Sequence, residues 1–175
     1  MWGRGRAKGT LLCSFVLMAS AAAAESVGHV RLDDPEAANA LRTALSRAAR
    51  RLDSPSCRHV LTEFQDANGQ TLQSVLDQAG RSPARYMAGL FFYDGSTMPQ
   101  CKVPSTLAFT TRGSHVVLVC PEQFRSQERR DSRQLDVVII HETLHTLGLG
   151  ENPPTAQHIS ARVFSRCVAN ASRTR

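Results

Sequence analysis

The sequence predicts an α+β domain, a small sheet with one buried helix against it and further helices flanking it. Three observations point there. Apolar residues recur at helical spacing near both ends of the chain, short β-prone runs cluster between Leu90 and Cys120, and no repeat or low-complexity linker divides the remainder.

The chain has 175 residues and a formal net charge of +6. Residues 1–24 read as a secretory signal: Arg4, Arg6 and Lys8 are basic, Leu11 to Met18 are apolar, and Ala22-Ala23-Ala24 offer a small-residue cleavage site before Glu25. Residues 25–175 then form one domain with room for a single core. Loss of Arg4, Arg6 and Lys8 lowers the net charge from +6 to +3, which argues against a nucleic-acid partner. The remaining arginines are spread out and read as a solvated face. No apolar run approaches the roughly 20 residues of a membrane span, so a secreted or periplasmic protein is expected. Its four cysteines after the signal, Cys57, Cys101, Cys120 and Cys167, suggest two disulfides.

Asp34-Pro35 starts a first helix, because Asp caps free amides and proline has none to waste at the first position. Leu41, Leu45, Ala48 and Leu52 then form its apolar face. Val60, Leu61 and Phe64 before Asn68-Gly69, and Leu72, Val75 and Leu76 after it, suggest two short helical pieces around a turn. Ser82-Pro83 starts a short helix through Tyr86. Leu90 to Tyr93 is strand-like, closed by Asp94-Gly95, and Leu107 to Thr111 with Val116 to Cys120 read as a hairpin around Arg112-Gly113-Ser114. A bridge between Cys101 and Cys120 would close the open end of that hairpin, leaving Cys57 for Cys167. Asp131 and Gln134 resemble a capping box at the start of a helix whose first half is apolar nearly all round through Ile140. After Asn152-Pro153-Pro154, Thr155 caps a last helix carrying Ile159, Val163 and Cys167 on one face.

The chemistry sits on the buried helix. His141 and His145 are one turn apart on the same face, close enough to share a tetrahedral metal ion, and Glu142 stands beside them where a carboxylate can take a proton from water. Imidazole and carboxylate ligands in tetrahedral geometry favour Zn2+. Gly148 can adopt the left-handed conformation that turns the chain back, bringing Glu151 three residues later as a candidate third ligand. His158 is the only downstream histidine and competes for that place.

The stretch His141-Glu142-x-x-His145-x-x-Gly148-x-x-Glu151 resembles the metallopeptidase motif of the metzincins, a branch of the zincins. Glu151 stands where that branch usually has His, and no methionine follows Met98 to supply its methionine turn, so the likeness is to zincins in the broader sense. Continued through Pro154, the stretch also resembles that of small exported bacterial proteins described as metallopeptidases. The resemblance implies a zincin-like fold over residues 25–175, zinc held by His141, His145 and Glu151, and Glu142 as general base. It implies hydrolysis of a peptide or protein substrate by zinc-activated water, with the substrate added as a strand along a sheet edge near Leu90 to Tyr93 or Val116 to Cys120. Tyr86, Tyr93 and His115 are candidates for stabilising the oxyanion. Two other readings of the same residues remain open: a non-catalytic, zinc-stabilised, disulfide-bonded binding protein of the cell envelope, with Glu151 closing the site, and a metal-free polar core. Anionic envelope components would suit the basic surface.

Overall fold

The computed structural model describes residues 28–169, so the segment read as a signal peptide lies outside the described residues. The order of elements is β1 (His29–Arg31), α1 (Pro35–Leu52), α2 (Pro55–Glu63), α3 (Leu72–Gln78), α4 (Pro83–Ala88), β2 (Phe91–Asp94), β3 (Ala108–Thr110), β4 (Val116–Val119), α5 (Pro121–Thr146) and α6 (Ala156–Val163). This is the α+β arrangement expected.

The helix starts follow the cap-plus-proline logic. Asp34 Oδ1 accepts from the amides of Glu36 and Ala37 at 2.9 and 3.1 Å, with Pro35 at the first position. Ser54 and Ser82 repeat the device before Pro55 and Pro83, and Thr155 caps α6. The Asn68-Gly69 turn separates α2 from α3 as expected, with Gly69 at φ +77°.

The sheet order is β1-β2-β4-β3, parallel between β1 and β2 and between β2 and β4, antiparallel between β4 and β3. The hairpin forms as read, with Phe109 opposite Leu118. Strand β1 is unanticipated: it has three residues, and its partner β2 lies about 60 positions away in the chain. One expectation is corrected here. The runs offered as a substrate-binding edge form β2 and β4, which are both interior; the edge strands are β1 and β3.

Helices α1 and α5 pack against each other and against the sheet, burying Leu41, Leu45, Phe92, Val117, Val119, Leu135 and Ile139 in one core. The long helix α5 is broken at Asp131, whose φ of −156° and ψ of 99° are extended. Asp131 thereby caps the buried half, as expected, but the amide it accepts from is that of Arg133 at 3.0 Å, and no bond to Gln134 forms. Residues 121–130, helical before the break, carry no comparable sign in the sequence. They are rich in charge and have little apolar periodicity beyond Phe124.

The arginines of α1 also depart from the reading as a solvated face. Arg47 Nε and Arg51 Nε donate to the two oxygens of fully buried Asp136 on α5, at 2.7 and 2.8 Å. Arg51 further donates to the Cys167 carbonyl at 3.0 Å. The disulfides are Cys57–Cys167 and Cys101–Cys120, the pairing expected from the hairpin. Disulfides are characteristic of oxidising compartments. Among the described residues no helix is long and apolar enough to cross a membrane.

Candidate metal centre

The last two turns of α5 carry Ile139 to Thr146, all buried, polar side chains included. Their hydroxyls are satisfied within the helix: Thr143 Oγ1 donates to the Ile139 carbonyl at 2.8 Å and Thr146 Oγ1 to that of Thr143 at 2.7 Å. The helix ends where it must for the chain to return. Gly148 takes φ +107°, and a β-carbon there would stand 3.0 Å from Asp66 Cβ, so both backbone and packing demand glycine. The chain then turns back over the helix end and delivers Glu151.

Three ligand atoms converge as a result. His141 Nε2 and His145 Nε2 are 2.9 Å apart, and Glu151 Oε1 lies 3.4 Å from the first and 3.2 Å from the second. Ligands about 2.1 Å from one tetrahedral ion are separated by roughly 3.4 Å, so this spacing suits a single small cation. The outward ring nitrogens are fixed independently. His145 Nδ1 lies 2.8 Å from the Leu149 carbonyl, which can only accept, so the proton sits on Nδ1 and the Nε2 lone pair points to the cluster. His141 Nδ1 is 2.9 Å from Ser160 Oγ on α6, a hydroxyl that orients the ring and is able to accept the Nδ1 proton. With the His141 proton on Nδ1 as well, two lone pairs and a carboxylate oxygen face one another and repel, and a cation between them removes the repulsion. The residues therefore fit a metal ion.

Burial first, and the neighbouring His145 second, hold the His141 imidazole down at about 4 against the opposing pull of Glu151. It needs no deprotonation to serve as a ligand near neutral pH. Glu142, also buried, is pushed up to about 8 by desolvation and by the Glu151 charge, with the polar Thr110 backbone opposing the rise. In the metal-free chain this carboxyl therefore holds its proton near neutral pH, and a cation among the neighbouring side chains would draw it toward the ionised form that can take a proton from water.

The cluster opens into a cleft of about 820 Å³. Its walls are α5, the chain around Gly150, and β3, the sheet edge beside Glu142. In the β3–β4 register Phe109 faces Leu118 and Cys120 N–H donates to the Leu107 carbonyl, so the backbone groups of Ala108 and Thr110 point away from β4 and toward the cleft.

His141, Glu142, His145 and Glu151 are thus brought together. The other candidates are not. His158 is exposed and packs edge-on to Phe64, with ring centroids 6.2 Å apart, outside the cluster. Tyr86 is buried against Thr146 and His115, and Tyr93 stacks on Phe91, so neither tyrosine nor His115 lines the cleft. Polar residues that line it and were not read as site residues include Gln100, Arg112, Gln134 and Ser160. Only the last carried a sequence signal, its place on the inward side of a helix next to Ile159.

Ser160→Ala removes the oxygen that orients His141. Zinc affinity, read by competition with a chromophoric chelator, is expected to fall about tenfold. Unchanged affinity would mean that packing alone holds the ring.

Comparison with protein-family models, with curated proteins and with solved structures finds no match to this chain.

Proposed function

We propose that the protein is an exported, zinc-dependent metallopeptidase of zincin type. The observation that carries this reading is the convergence of His141 Nε2, His145 Nε2 and Glu151 Oε1, with buried Glu142 lining the same cleft. Zinc is favoured because two imidazoles and one carboxylate form the ligand set of a catalytic zinc site that keeps its fourth position open. Bound there, zinc would make water a nucleophile near neutral pH and polarise the substrate carbonyl.

The chain's own residues would do the rest. Glu142 accepts the proton of the attacking water and delivers it to the departing amine, a role its dry surroundings favour. The outward backbone groups of Ala108 and Thr110 offer a peptide the hydrogen bonds of an added strand. The Leu149 carbonyl keeps the His145 imidazole in the required tautomer, and Ser160 Oγ is placed to accept the His141 Nδ1 proton. The two disulfides and the basic, apolar and small-residue order of residues 1–24 support export.

The test is direct. Express residues 25–175 with both disulfides formed, measure bound zinc, and compare hydrolysis of a mixed peptide library by this protein and by Glu142→Ala. One zinc per chain and cleavage by the unaltered protein alone are expected; equal cleavage by both would sink the reading.

A further inference from the structure

The turn between β3 and β4, residues 111–115, forms one lip of the cleft. Its Gly113 N–H donates to the His145 carbonyl at 2.9 Å, which fixes the turn to the end of the metal-bearing helix. Arg112, one residue earlier, reaches along the lip to Gly150. A β-carbon at residue 150 would stand 3.0 Å from Arg112 Nη1 and 3.8 Å from its Cδ, so the absence of a side chain there makes room for the guanidinium beside the backbone that leads into Glu151.

The guanidinium has no hydrogen-bond or ion-pair partner among the described residues, although a carboxylate lies one residue beyond Gly150. Glu151 directs its Oε1 to the two histidines instead. Of the charged side chains that line the cleft, Glu142 and Glu151 are acidic and Arg112 is the one permanent cation. A guanidinium with its fork of donors free, held at the mouth of a cleft, is built to receive a planar anion. Of the anionic groups that an unmodified peptide carries, the carboxylate is the one whose two oxygens match that fork.

We propose that Arg112 is a specificity-determining residue that selects peptides carrying a free carboxylate near the bond held over His141 and His145. The proposal rests on the peptidase reading for its choice of ligand. The carboxylate can come from an acidic side chain or from the peptide's own C-terminus, and the two sources share one recognition chemistry.

Three peptides of common backbone separate them: one with a Glu side chain and an amidated end, one with Gln in its place and a free C-terminal carboxylate, and one with Gln and an amidated end. Binding is measured by titration calorimetry to the zinc-loaded, disulfide-bonded Glu142→Gln protein, so that no peptide is consumed. One of the two carboxylate peptides is expected to bind about tenfold more tightly than the uncharged one, and which one it is names the source. The ratio falls to about one in the same protein carrying Arg112→Ala, and in Arg112→Glu a peptide with Lys at that position gains instead. Bound zinc and near-ultraviolet circular dichroism of each variant report whether its fold and metal site persist, and Arg112→Lys, which keeps the charge without the fork, is expected to retain part of the preference.

A ratio left unchanged by Arg112→Ala overturns the proposal, as does equal binding of all three peptides. Hydrolysis by the unaltered protein with no carboxylate preference sinks this inference and leaves the peptidase standing. A carboxylate preference without hydrolysis does the reverse. No binding of any peptide overturns both.

Discussion

Glu142→Gln is expected to lower kcat/KM for peptide hydrolysis by about a thousandfold while zinc stays at one per chain. The same substitution is expected to stabilise the metal-free protein at neutral and alkaline pH. Both effects come from one fact: a carboxyl is buried beside Glu151 and its proton is held up to about 8, against an ordinary value of 4.5. A group whose proton is held more tightly in the folded chain contributes its full stability below about pH 4.5. That contribution is lost as the pH rises through 8, because the folded chain must then bury a charge. Glutamine carries no such charge. The stability gap between the two metal-free proteins should therefore be near zero at pH 4 and widen to about 4 kcal/mol at pH 8. Urea unfolding after chelation, at pH 4, 6 and 8, measures it. A gap that does not change with pH would refute the assignment of the buried charge, and undiminished hydrolysis would refute the general base.

Asp136→Asn is expected to destabilise the protein by about 3 kcal/mol, the lower end of the cost of breaking a buried ion pair. Both oxygens of this fully buried carboxylate are taken by arginines of α1. Removing the charge leaves two guanidinium groups facing a neutral amide. The cost stays at the lower end because each arginine retains another acceptor, the Ser132 carbonyl for Arg47 and the Cys167 carbonyl for Arg51. Asp136 lies on the buried half of α5, five positions before His141, so loosening it should also weaken zinc binding. Denaturant unfolding and zinc titration of the same preparation check the pair of effects. A loss of stability below about 1 kcal/mol would show that the two helices are held by apolar packing alone.

The parts of the fold that were legible in the sequence are those fixed by neighbours in the chain. Asp34-Pro35 and Ser82-Pro83 announce helices because cap and proline act within one turn, and Arg112-Gly113-Ser114 announces a hairpin because its strands are adjacent. The candidate ligands were legible for the same reason: His141, His145 and Glu151 meet through one helix turn and one glycine return. What could not be read depends on distant pairing. The strand order places β4 between β2 and β3, and nothing in Val116 to Val119 says that its second neighbour is parallel and lies upstream. Arg47 looked like any surface cation until Asp136, 89 residues away, was placed against it. Arg112 reads as a turn residue for the same reason, since its position in the cleft depends on where Gly150 returns.

Cys101 and Cys120 are 19 positions apart in the chain. Within that closed ring lie all of β3, the turn that bears Arg112, and all of β4, so one whole wall of the cleft belongs to a single covalent loop. An edge strand of three residues has few hydrogen bonds of its own to hold it. Tying off its loop removes much of the freedom it would otherwise have to lose on docking. Reduction of this one bond is therefore expected to loosen the β3 wall beside Glu142 while leaving His141, His145 and Glu151 on the helix and its return, outside the ring.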